Sequence, residues 1–137
     1  MTASRISRGS RPAARGGALL WLLCLCDAGL LTASGLVHLH LWDVTYRHVR
    51  VLDVLFLVQT GAALVAAVLL VSTRSLLIAA GSAVLMAGTI AGFILVRTAG
   101  IFGFRLTASP SAGYAALVIE AVAVVFLTAT ARVIART

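Results

Sequence analysis

"DVLFLVQTGAALVAAVLLVSTRSLLIAAGSAVLMAGTIAGFILV", residues 53–96, decides the fold. Two apolar runs, 53–71 and 76–96, flank the four residues STRS at 72–75. An α-helix rises 1.5 Å per residue, so about 20 residues cross the ~30 Å hydrocarbon core of a bilayer. Both runs have that length, and four residues between them leave room only for a tight reversal. The runs are uncharged over long stretches rather than apolar on one periodic face, as a helix on a soluble domain is. The stretch reads as a transmembrane helical hairpin.

Working outward, the pattern recurs on both sides. A run from Ala18 to about Leu41 is interrupted only by Asp27 and a few hydroxyls before the histidines. A last run covers about Gly113 to Ala131. The segment between the third and fourth runs, "RTAGIFGFRLTASPSA" (97–112), holds Gly100, Gly103 and Pro110 and is expected to be a loop. The fold class is therefore all-α, a four-helix transmembrane bundle with helices at about 18–41, 53–71, 76–96 and 113–131. Residues 1–17 are Gly/Ser-rich, carry four arginines and no acid, and are expected to be a disordered cytoplasmic tail. Residues 132–137 form a short second tail. The basic flank followed by "LLTASG" also resembles a signal peptide cleaved near Ser34, but the run continues apolar past that point, so an uncleaved helix is expected.

Composition agrees. Of 137 residues, 61% are hydrophobic and only 11% charged, with a mean hydropathy of +1.09. A soluble domain is closer to half apolar and a quarter charged. The net charge of +7 comes entirely from arginine, and the chain lacks both Lys and Asn, as coding by a GC-rich genome produces. Placed with the amino terminus inside, Arg5, Arg8, Arg11, Arg15, Arg74, Arg132 and Arg136 are cytoplasmic, while Arg47, Arg50, Arg97 and Arg105 are external. The excess of inside arginine predicts that both termini are cytoplasmic in the cell membrane. Cys24 and Cys26, two apart on a helix, point to opposite sides and cannot join in a disulfide.

Helix association in lipid relies on small residues. "GTIAG" sets Gly88 and Gly92 at GxxxG spacing, with Gly61, Ala62 and Ala66 on the second helix and Ala112, Ala116 and Ala123 on the fourth. Packing within one bundle is the expectation for the glycine pair.

Asp27 and Glu120 fall inside the predicted hydrocarbon, both near the midplane. A carboxylate there costs ~2.5–3.5 kcal/mol on insertion scales, so neither faces lipid. No Lys or Arg shares that depth, and the two acids are expected to be protonated, or bonded to each other and to hydroxyls such as Thr32, Ser34, Thr89 or Thr128. Asp27, Leu31, Ser34 and His38 follow i, i+4, i+7, i+11, one face of a helix. This polar stripe rises from mid-membrane to the outer surface, and Gln59 can join it.

All three histidines stand in "GLVHLHLWDVTYRHVR" (35–50). A zinc or copper site needs three or four convergent ligands, and His38, Asp43 and His48 are the candidate set. The opposing reading makes the stretch a helix end, with Trp42 and Tyr46 in the aromatic belt and Arg47, His48 and Arg50 among headgroups. Haem is not expected, because the other helices hold no histidine, and no cofactor is implied. The outer loop offers Gly100, Phe102, Gly103, Phe104 and Arg105 as contact candidates, the two phenylalanines burying against helix ends or dipping into the interface. No phosphate-binding loop, nucleophile elbow or His-Glu-x-x-His motif occurs, so nothing argues for hydrolysis or phosphoryl transfer.

The run 35–70 with "AGFILVRTAGIFGFR" and "YAALVIEAVAV" resembles a group of small four-helix actinobacterial membrane proteins. The pattern is carried by His38, Trp42, Tyr46, Arg47, Gly100, Phe102, Gly103, Phe104 and Glu120, with Arg105 where the pattern has an acid. The resemblance implies topology and host, and no activity; a looser likeness to DoxX-type four-helix proteins, sometimes linked to quinone or thiol redox, rests on architecture. Three functions are consistent with the residues. The first is a non-enzymatic accessory or assembly component of the cell membrane, and the second a small proton-coupled carrier using Asp27 and Glu120. The third is a redox or metal-handling protein using His38, Asp43 and His48. The partners implied are the lipid bilayer and a membrane-protein partner or second copy of the chain, with no nucleic acid.

Overall fold

The computed structural model describes residues 11–106 and 111–137, and four helices account for most of them. They are α1 (Arg11–Leu41), α2 (Leu52–Thr73), α3 (Leu76–Thr98) and α4 (Ser111–Ile134). All four are long and apolar enough to cross a membrane. They run alternately up and down, so α4 finishes at the end of the bundle where α1 starts. That is the termini end; the opposite one is the loop end.

Both ends of α1 differ from expectation. The helix begins at Arg11, inside the stretch expected to be a disordered tail; residues 1–10 lie outside the described residues. Pro12 does not oppose this start, because the first turn of a helix has no internal donors to lose. At the loop end, Trp42–Tyr46 continue α1 as one wider π-helical turn, closed by Arg47 N–H donating to the Trp42 carbonyl at 2.8 Å. That turn swings Tyr46 inward, correcting its expected place in the aromatic belt: it is 5% exposed and stacks on Phe56 at 4.5 Å. Trp42 is half-buried and donates its indole N–H to Asp53 Oδ1 at 2.8 Å. Arg47 pairs with Asp43 at 3.3 Å and lies over the Trp42 ring. Both charges are exposed, so the pair adds little.

Val51 joins this turn to α2 with φ 69° and ψ −45°, near the γ-turn region that β-branched residues avoid. Val51 is exposed, so little packing offsets the strain. Val51→Gly is expected to stabilise the fold by about 1 kcal/mol, strain relief exceeding glycine's greater unfolded-state entropy. Thermal unfolding in detergent checks this through a higher midpoint.

α1 is the centre of the bundle. It packs along α2 and α4, and α3 leans mainly on α4. α2 and α3 make few contacts with each other, although only Arg74 and Ser75 separate them. The distribution of side chains is inverted relative to a soluble bundle. Large aliphatics such as Leu77, Val84 and Val125 point outward, while Asp27, Ser34, His38, Gln59, Thr60, Ser82, Glu120 and Thr130 are all buried. Apolar surface gains nothing by leaving lipid, whereas each polar group gains by finding a partner. Ala63, Ala67, Ala79, Ala116 and Ala123 supply the small interior surface that lets the backbones approach. Cys24 is buried and Cys26 exposed, on opposite sides as expected.

The glycine contacts fall elsewhere than the GxxxG spacing suggests. A Cβ at Gly88 or Gly92 would meet nothing within 4 Å, so this pair packs against no helix. The close approach is at Gly35, where a Cβ would lie 3.4 Å from the Thr60 carbonyl oxygen and 3.5 Å from the Leu64 side chain. There α1 and α2 cross, and the one Thr60 hydroxyl hydrogen is shared between the Phe56 carbonyl of its own helix at 2.9 Å and the Gly35 carbonyl at 3.2 Å.

At the loop end Gly100, with φ 81°, caps α3 by donating to the Leu95 carbonyl at 2.9 Å. Ile101 and Phe104 then exchange two backbone bonds of 2.8 Å around Phe102 and Gly103, both at positive φ, which makes a tight hairpin turn. Phe104 packs edge-on against Tyr46. Phe102 is not buried against a helix end, which leaves the interfacial alternative: it is 71% exposed at the tip of the turn, and Arg105 beside it is exposed too. Residues 107–110, with Pro110, lie outside the described residues.

Candidate functional site

The stripe on α1 faces the interior. Asp27, Leu31 and Ser34 are fully buried and His38 nearly so. Because the π-helical turn carries α1 on to Tyr46, His38 lies eight residues, about 12 Å, inside the loop end rather than at the surface. Gln59 is seven residues into α2 and Glu120 nine into α4, so about 10–14 Å of helix puts all three at one level.

There they meet. His38 Nε2 stands 3.4 Å from Glu120 Oε1, and the Ser34 hydroxyl donates to the same oxygen at 3.4 Å. His38 Nδ1 is 2.9 Å from the Ser34 carbonyl oxygen. A carbonyl only accepts, so Nδ1 carries a hydrogen. Unprotonated Nε2 and ionised Glu120 would then turn two lone pairs toward each other in a site shielded from water. A proton on either atom removes that repulsion, so the pair is at ease when at least one of the two atoms carries a proton. Phe56 leans on the imidazole at 5.3 Å and fixes it from the α2 side.

Beside the pair lies a cavity of about 300 Å³ lined by all four helices, on the side where α2 and α3 make few contacts with each other. His38, Gln59, Thr89 and Glu120 form its polar part, and Tyr46, Phe56 and Phe93 its aromatic walls. Gly88 and Gly92 open its α3 side between Thr89, Phe93 and Val96, and Ile101 and Leu106 line it toward the loop end. Among the described residues, no arginine lines it. Gln59 is 7% exposed, and its Nε2 has no hydrogen-bond partner. A buried amide donor left so is costly unless something fills its place.

The second acid is elsewhere. Asp27 Oδ2 accepts from the Thr130 hydroxyl at 2.5 Å, and Oδ1 has no partner. Thr130 lies ten residues, about 15 Å, beyond Glu120 on α4. Buried Leu31, Ala123 and Leu127 occupy the interval. The expected meeting of both acids near the midplane is therefore corrected: each has its own hydroxyl partner, at separate levels. Of the expected hydroxyls, Thr32 and Thr128 donate to their own helix carbonyls.

The expected metal set is not assembled. His38 is buried at the Glu120 pair, Asp43 is exposed with Arg47, and His48 is exposed beyond the turn. Among the described residues, no three His, Cys, Asp or Glu side chains group closely enough to hold a metal ion. His40 is exposed. Of the outer loop, Phe104 braces Tyr46 above the cavity, and a Cβ at Gly100 would come within 2.9 Å of the Phe104 carbonyl oxygen. Neither Thr130 nor the inward Tyr46 is evident in the sequence: Thr130 sits one turn from a basic helix end, and the tyrosine looks like an interface anchor.

No protein family, curated protein or solved structure matches this chain.

Proposed function

We propose that this multi-pass protein works as a small proton-coupled carrier of the cell membrane, with both termini cytoplasmic and Glu120–His38 as its proton site. One observation carries the reading. A carboxyl and an imidazole face each other at 3.4 Å at the edge of a cavity inside the span, and among the described residues no arginine lines that cavity. A group that can take up and release a proton beside a cavity is the part such a carrier needs. The arginine asymmetry supports the orientation. Asp27, the second acid expected for the carrier, ties α1 to α4 through Thr130 and takes no part in the cavity.

The test is infrared difference spectroscopy between acid and alkaline pH on the reconstituted protein, in an Asp27→Asn background. A protonated-carboxyl C=O band that disappears at high pH, and is missing when Glu120→Gln is added, supports the site. The same band persisting after Glu120→Gln refutes it. A non-enzymatic accessory or assembly role is favoured by a different observation, the exposed Phe102 at the tip of the loop turn. That reading assigns no work to the cavity and expects Glu120→Gln to leave function intact.

A further inference from the structure

The cavity beside Glu120 reaches α2 and α3 where these helices make few contacts with each other, and a second hollow of about 290 Å³ lies between the same two helices toward the termini end. Gly81 and Leu85 line the second, Gly88 and Gly92 the first. These four follow i, i+4, i+7, i+11 and so form one face of α3. The missing side chains at Gly81, Gly88 and Gly92 keep the face low along its length, and none of the three would touch a neighbour through a Cβ. The seam is thus an apolar groove leading to a polar end, in a bundle whose outer surface is aliphatic.

The polar end specifies what fits. Gln59 Nε2 is a buried donor with no partner, and it calls for an acceptor oxygen. Among the described residues no arginine lines the cavity to neutralise a phosphate, and a carboxyl–imidazole pair that is neutral with one proton offers no standing negative charge for an amine. We infer that the α2–α3 seam admits, from the lipid, an uncharged single-chain lipid with a carbonyl head, whose oxygen accepts from Gln59 and whose tail lies along the glycine face of α3. This names the substrate class of the carrier and rests on that reading for the role of the pair.

Three lipids with one oleyl tail decide the head: oleamide, oleylamine and oleyl phosphate, titrated into the full chain in nanodiscs and counted by native mass spectrometry. Oleamide is expected to saturate at one per chain, ahead of the other two by at least tenfold. Gln59→Leu is expected to weaken it about tenfold. Gly92→Leu extends into open space in the groove and raises helix propensity, so the bundle folds while access is blocked, and oleamide binding is expected to be lost. Gly92→Leu removes neither Glu120 nor His38, so a pH-dependent carboxyl band, shifted or not, is expected to remain. Failure of oleamide to bind, preference for oleylamine or oleyl phosphate, or equal binding by Gly92→Leu each overturns the proposal. A carboxyl band that remains assigned to Glu120 in any of these cases leaves the proton site standing.

Discussion

Gly35→Val is expected to unfold the bundle far more readily than any change in the GxxxG pair. At Gly35 the first added carbon already stands 3.4 Å from the Thr60 carbonyl oxygen, tighter than most such contacts, and the Leu64 side chain closes the other side. Two further methyls cannot be placed without moving α1 from α2, and that movement also breaks the bond from Thr60 to the Gly35 carbonyl. Overpacking of this kind costs about 1–3 kcal/mol, and a lost interhelical hydrogen bond adds about 0.6. Gly88→Val, one of the pair that sequence spacing singles out, meets open space and is expected to cost a few tenths at most. Unfolding in mixed micelles of increasing dodecyl sulfate content measures both. Equal midpoints for the two variants would mean that α1 and α2 do not cross as described.

Thr130→Val is the second large effect, and its partner sets its size. It removes the hydroxyl from a fully buried carboxyl whose other oxygen is already unpaired. Stranding a buried polar group costs about 1–3 kcal/mol. The reverse change, Asp27→Leu, repeats the branching of the carboxyl with carbon and leaves Thr130 free to bond a carbonyl of its own helix, so it is expected to cost less. Adding Asp27→Leu to Thr130→Val is then expected to restore most of the lost stability, a coupling that a double-mutant cycle reads directly. If the cycle closes with no coupling, Asp27 is not the tie between α1 and α4.

These two sites mark where sequence stops being informative. Helix length and hydropathy are local, and they located all four spans to within a few residues at most ends. The inward face of α1 was equally legible, because Asp27, Ser34 and His38 share a helical period. Contacts between helices depend on register, which no single span encodes. His38 looks superficial in the sequence because the π-helical turn at Trp42–Tyr46, which carries the helix on past it, is invisible as a pattern. The glycine spacing on α3 marks a small-residue face, which in this fold is not a packing face. What distinguishes Gly35 from Gly92 is the neighbour, Thr60 in one case and an opening in the other. Tyr46 follows the same logic, an aromatic at a helix end that turns in because Phe56 is there to receive it.

The two-residue link at Arg74 and Ser75 makes α2 and α3 a pair of tongs. Gly92 stands 17 residues above Ser75, roughly 25 Å along α3. Leverage over that arm means that a tilt of about 5° at the link parts the jaws by about 2 Å at Gly92, half a carbon chain's width, and by under half of that beside Gly81. The grip is therefore loosest where the carboxyl waits and firmest near the pivot.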